Sequence, residues 1–356
     1  KDKIVQENQR EAAASVLDPT VSAEQIPSPI RLMIIAVALY FYNVPLSRIG
    51  QWLGISKSTA YNRITGICKA LWPLIDAAIR ARVKGARVYV DEKWLKIRGK
   101  WYYWFVAFDD ETGIPILNSL LSTRSRWACR WFMIRIKRYG ICPDIIITDG
   151  LAGYISAVSM VFANTQHLLC LFHHQQSVTR WVKKYLKDIC DAGEIKQKMK
   201  KLVQTTDPRT VYRRLKRLQE EAVEKGWDIL GWIENTRNNL PKLLPALRKN
   251  KYPRTTNPIE RFFREFQRFY KTRCGFHSVA SAKLGLIVFL VGYLFTRQVK
   301  TGKAPIENLI PEAKHTPLYQ ILNDPIKWGI AELGDAMSRK GGQADETATD
   351  QLEEAA

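Results

Sequence analysis

The sequence has no paired-cysteine framework. Its six cysteines, Cys68, Cys129, Cys142, Cys170, Cys190 and Cys274, show neither a C-x-x-C pair nor regular spacing. That excludes a small disulfide scaffold and fits a reducing compartment. Long apolar runs are also missing. The longest, Leu284 to Phe295, is too short to span a bilayer and reads as a buried helix. No signal-peptide pattern is visible, no internal repeat occurs, and the first residue is Lys1 rather than Met. The expectation is a cytoplasmic protein with no membrane partner. Negative charge is scarce too, with 34 Asp+Glu against 55 Lys+Arg and a net charge of +21. Such an excess favours a polyanionic partner, most simply nucleic acid, over a basic membrane-binding surface.

What is present is enough for two or three domains: 356 residues, 46% of them hydrophobic. Residues 1–28 are polar and read as a loosely ordered arm. From Pro29 the apolar residues Ile30, Met33, Ile34, Val37 and Phe41 fall at helical spacing. A short second helix fits Pro45 to Leu53, with Gly54 to end it and Ser56 to cap the next. The third, Lys57 to about Leu71, carries Lys57, Ser58, Thr59, Asn62 and Arg63 near its start. Polar residues early in the second helix of a helix–turn–helix reach bases or phosphates, so residues 29–85 are expected to bind double-stranded DNA. The competing reading is a helical hairpin with a solvated face.

From Arg87 the period changes to strands: Val88–Leu95, the aromatic Lys100–Asp109, and Ile114–Leu121. A helix over Arg126–Tyr139, a strand over Asp144–Thr148, a helix over Leu151–Val161 and a strand over His167–Leu171 follow. This order predicts an α/β fold with a ribonuclease-H-like mixed sheet flanked by helices, its first part at 86–174 and its second at 251–300. Between them, residues 175–250 are rich in Lys and Arg and poor in strand signal, which predicts an all-helical insertion. Lys183, Lys184 and Lys187 there are candidate phosphate contacts, against the plainer reading of a solvated face. Residues 301–356 form a C-terminal extension that turns acidic after Lys340 and is expected to be disordered.

Three acids stand out against this basic background. Asp91 and Asp149 each follow a short β-branched run, and Glu260 opens a helix. Adjacent strands and a helix start can bring such carboxylates together, and hard oxygen donors suit Mg²⁺ or Mn²⁺. A pair of such ions can clamp the attacking and leaving oxygens of a phosphoryl transfer. Plainer readings exist: Asp149 as a helix cap, and Glu260 as the third position of a capping box with Asn257 as N-cap and Pro258 first in the helix. Alternation turns the neighbouring Glu92 to the other face of the strand. Cys170 and His173 form a C-x-x-H pair without a second pair at zinc spacing, so zinc is disfavoured. Among the tryptophans of the helical block, Trp181 is the candidate to stack on a displaced base.

The segments Val90-Asp91-Glu92-Lys93-Trp94 with Arg98-Gly99-Lys100-Trp101-Tyr102-Tyr103, then Thr148-Asp149-Gly150 with Tyr154, then Thr256-Asn257-Pro258-Ile259-Glu260-Arg261 with Arg264-Glu265, resemble in order the catalytic segments of DDE-type insertion-sequence transposases of bacteria and archaea. Cys170-Leu171-Phe172-His173 is similar to the C-x-x-H signature of Mutator-type members, and the third motif is closest to theirs. Arg273-Cys274-Gly275-Phe276-His277-Ser278 also looks like the segment after the catalytic helix in small insertion-sequence enzymes. The resemblance covers about residues 30–300. It implies cleavage of transposon ends and transfer of the 3′-hydroxyl to target DNA, with Asp91, Asp149 and Glu260 as ligands of two Mg²⁺ (or Mn²⁺) ions. It further implies a homodimer holding two ends, at the nucleoid of a prokaryote. One departure is the wide spacing: Glu260 comes 111 positions after Asp149 (260 − 149), where the first-half motifs resemble families with a short gap. The alternatives are a non-catalytic DNA-binding regulator or domesticated remnant, and, behind it, a structure-specific nuclease on the same core.

Overall fold

The computed structural model describes residues 29–187, 190–247, 253, 255–298 and 301–311. The arm before Pro29 and the acidic tail after Lys340 lie outside the described residues. Two compact units divide the chain: residues 83–283, and residues 1–82 together with 284–356. No helix among the described residues is long and apolar enough to cross a membrane.

The second of these units holds α1 (Pro29–Phe41), α2 (Leu46–Trp52) and α3 (Lys57–Arg82), with most of the late helix Val279–Phe295. Gly54, at φ 63°, turns the chain between α2 and α3, as its lack of a side chain allows. A Cβ on Gly50 would stand 2.7 Å from the Ile55 carbonyl oxygen, so only glycine permits this tight turn. Ser56 accepts the Thr59 N–H at 3.0 Å and caps α3. The third helix does not stop near Leu71; it runs through Pro73 to Arg82. Ile64, Cys68, Leu71, Ile75 and Ile79 keep one buried stripe along it, and that burial outweighs the local cost of the proline.

Residues 83–283 are built on a five-stranded sheet. Its strands are β1 (Arg87–Ile97), β2 (Lys100–Asp109), β3 (Pro115–Leu121), β4 (Ile145–Thr148) and β5 (Gln166–Leu169), in the order β3-β2-β1-β4-β5. β1–β2 and β2–β3 are antiparallel; β1–β4 and β4–β5 are parallel. Arg98 and Gly99, at φ 45° and 82°, make the two-residue turn between β1 and β2, the hand that matches strand twist. Trp104 to Phe108 are all buried, so this central strand is covered on both faces.

On one face lie α4 (Arg126–Arg138) and α5 (Ala152–Val161). Phe105 meets Phe132 of α4 at 5.4 Å and Tyr154 of α5 at 6.1 Å. After β5 come α6 (Leu171–Tyr185), α7 (Ala192–Lys201), α8 (Pro208–Glu224) and α9 (Leu230–Leu243). Val178, Val182, Met199, Leu215, Trp232 and Leu240 share one apolar core among them. No strand interrupts them among the described residues. α10 (Asn257–Lys271) covers the other face of the sheet, and α11 (Val279–Phe295) follows. In α10, Ile259, Phe262, Phe263, Phe266 and Phe269 are buried, the i, i+3, i+4, i+7 stripe of an amphipathic helix. Trp104 receives them, at 5.5 Å from Phe262 and 4.7 Å from Phe266.

Candidate active site

Strand register brings the first two acids level. Tyr89 of β1 pairs with Ile147 of β4 in parallel. Asp91 and Asp149 each follow that pair by two residues, Asp149 just past the end of β4, and the charge of Asp149 is felt by both Asp91 and Glu92. Register sets Asp91 on the face covered by α10, in phase with Trp104 and Phe108. Asp91 is half-buried on β1, with Oδ1 accepting the Glu92 N–H at 2.8 Å. Asp149 Oδ1 accepts the Leu151 N–H at 2.9 Å, so it also shapes the turn into α5. Burial pushes the Asp91 carboxyl well above its ordinary range, and the charges of Glu92 and Asp149 push it further; His173 works against them.

Glu260 sits in the first turn of α10, and its surroundings differ from the expected capping box. α10 begins at Asn257, which is exposed, and Thr256 occupies the cap position. Thr256 is fully buried, and its hydroxyl donates to Glu260 Oε1 at 2.8 Å. The glutamate is therefore held from outside the helix rather than folded back on Asn257. The same hydroxyl lies 3.3 Å from Cys170 Sγ and 3.4 Å from His173 Nδ1. His173 Nε2 is 3.9 Å from Glu260 Oε1. Cys170, His173 and Glu260 thus offer three donor atoms within 4.8 Å of one another.

His173 is the hub of this arrangement. Burial opposes its charge, but Cys170, Asp91 and Asp149 together raise its pKa above the usual imidazole value. Burial likewise opposes ionisation of Cys170, and hydrogen bonds from His173 and Thr256 outweigh it, leaving the thiol below its usual value. The C-x-x-H pair therefore links all three acids: it bonds within the Glu260 cluster and interacts electrostatically with both aspartates.

Glu92 faces the other way, as alternation requires. Its Oε2 accepts from Tyr154 at 2.7 Å and its Oε1 from Arg124 at 3.3 Å. Arg124 in turn covers the Trp94 ring at 4.4 Å. Sequence reasoning missed both this chain and Thr256; the only prior signal for Thr256 was its place directly before the Asn-Pro-x-Glu run.

The other expected residues lie elsewhere. Lys57, Ser58, Asn62 and Arg63 are exposed on α3 and Thr59 is half-buried there. Lys183, Lys184 and Lys187 are exposed at the end of α6. Trp181 packs against the core of α6–α9, its ring 4.4 Å from Tyr185 and its N–H on the Asp228 carbonyl at 3.2 Å.

Residues 85–236 match the family model of a DDE domain of the insertion-sequence transposase class. Over these residues the chain carries the DDE domain of an insertion-sequence transposase. The match takes in the whole sheet with Asp91 and Asp149 and ends within α9, before Glu260 and the motif on which the likeness to Mutator-type enzymes rests. Comparison with curated proteins returns no match. Transposases of this family bind DNA, and DDE domains generally use divalent metal ions.

Proposed function

We propose that Asp91, Asp149 and Glu260 form the catalytic centre of this transposase, cutting DNA at transposon ends and joining the freed 3′-hydroxyl to target DNA. The observation that carries this reading is His173, which interacts with Asp91 and Asp149 electrostatically and lies 3.9 Å from Glu260 Oε1. The donor set fits hard divalent cations: three carboxylates of which one, Asp91, is half-buried beside two like charges. Mg²⁺ or Mn²⁺ bound there, as two ions, supplies electrophilic stabilisation of the attacking and departing oxygens. The chain's own part is to aim the carboxylates; Asp91, whose ionised form burial and like charges disfavour, would be ionised by bound cations. Thr256 fixes one oxygen of Glu260, and the Leu151 N–H fixes one of Asp149. Water attacks the scissile phosphorus and the 3′-oxygen leaves as a hydroxyl; that hydroxyl then attacks a target phosphodiester, releasing a second 3′-hydroxyl. No covalent protein–DNA intermediate is needed. The exposed polar face of α3 reads the terminal repeat, the basic end of α6 holds backbone phosphates, and two copies bring two ends together. Asp91→Asn keeps duplex affinity and abolishes Mg²⁺-dependent cleavage of a terminal-repeat substrate. Cleavage at the wild-type rate by this variant would overturn the assignment.

A further inference from the structure

The hairpin of β1 and β2 carries a surface that the acidic centre leaves unexplained. Trp94 and Trp101 are 45% and 51% exposed, which is unusual for the largest apolar side chain. They meet edge to face at 5.9 Å, and Trp94 meets Tyr103 at 5.5 Å. Register sets all three on one face: Trp94 pairs with Tyr103, and Lys96 with Trp101. Cations are interleaved with the rings, Arg124 at 4.4 Å from the Trp94 centroid and Lys96 at 5.8 Å from that of Trp101. Arg124 is fixed in place, because its other contact is the almost fully buried Glu92. Glu92 directly follows Asp91 on β1, and Trp94 shares the face of Glu92, opposite to that of Asp91.

We infer that this face binds an unpaired DNA strand, stacking its bases on the Trp101 and Trp94 side and neutralising its phosphates with Lys96, while Arg124, paired with Glu92, holds the Trp94 ring. Exposed rings with cations beside them suit a polyanion with flat faces; an apolar protein segment laid there would desolvate Lys96 without offering it an anion. Strand opening at the cleavage point supplies unpaired nucleotides, and this surface is at the hairpin end of the strand that carries Asp91, on the opposite face of the sheet. The inference rests on the cleavage reading for its biological meaning, but binding can be measured without cleavage.

The test uses the full chain in an Asp91→Asn background, with fluorescein-labelled 20-nucleotide single strands, blunt duplexes and duplexes with unpaired tails. Trp101→Ala lowers affinity for the single strand and the tailed duplex by on the order of tenfold, the range of one lost base stack, and leaves the blunt duplex unchanged. Trp101→Tyr, which keeps a ring, restores most of the loss. Equal affinity of Trp101→Ala and its parent for the single strand overturns the proposal, as does an equal loss on all three substrates. A change in oligomeric state with single-strand binding intact also overturns it and assigns the face to a second copy. A wild-type protein that binds tails through Trp101 but cuts nothing would instead count against the catalytic reading alone.

Discussion

At the scale of single residues, two histidines are kept neutral by their surroundings. His167 and His174 have pKa values lowered to about 4, in both cases first by burial. His167 Nδ1 and His174 Nε2 are buried without a hydrogen-bond partner, and the His174 ring lies 5.4 Å from Trp232. The folded values lie below the unfolded value near 6.5, so the unfolded chain binds more protons between those limits. The stability each contributes is complete above the unfolded pKa and is lost as pH falls toward 4. Asp91 and Glu92, raised by burial, act in the opposite sense, so the effect is read as a difference between proteins. Denaturant melts from pH 6.5 to 4 should show a shallower acid loss in His174→Leu than in wild type, by at most about 1.4 kcal/mol per pH unit; parallel profiles would refute it. Asp91 and Asp149 stand out in the sequence because a carboxylate after a β-branched run is conspicuous. Thr256 does not, since its importance comes from Cys170 and His173, which are more than eighty positions away.

At the scale of elements, α10 and β2 depend on each other. Trp104 meets Phe262, Phe263 and Phe266, and Phe108 meets Phe262 at 5.5 Å. Phe266 is fully buried, so Phe266→Ala leaves a cavity between helix and sheet and costs about 3–5 kcal/mol in a denaturant melt. Because the same helix carries Glu260, DNA cleavage near the melting temperature should fall together with stability. A loss below about 1 kcal/mol would show that the α10 contact is loose. The strands were legible to within a residue or two, since each is a short β-branched or aromatic run between turn signals. The end of α3 was not, because the stripe from Leu74 to Ile79 continues beyond a Trp-Pro step that locally favours a stop. The start of α10 was misplaced by one residue: Asn and Thr both suit a cap, and only tertiary hydrogen bonds choose between them.

At the scale of the whole molecule, the excess of 55 basic over 34 acidic residues governs how the transposase meets DNA. Lys183 and Lys187 are exposed and form no ion pair with an acid among the described residues. If each neutralises a phosphate, the double variant Lys183→Ala, Lys187→Ala weakens duplex binding. It also flattens the dependence of log affinity on log salt by about two. An unchanged slope would return that end of α6 to the solvent. The separation of Glu260 from the two aspartates has a further consequence, in the order of synthesis. Domains generally fold from the N-terminal side as the ribosome delivers them. A chain halted before α10 has the sheet with Asp91 and Asp149 but not Glu260, and the Trp104 and Phe108 side chains that α10 covers are bare. On the proposed reading of the three acids, such an unfinished copy lacks one member of the centre, so completion of the site waits for α10 to be made and docked.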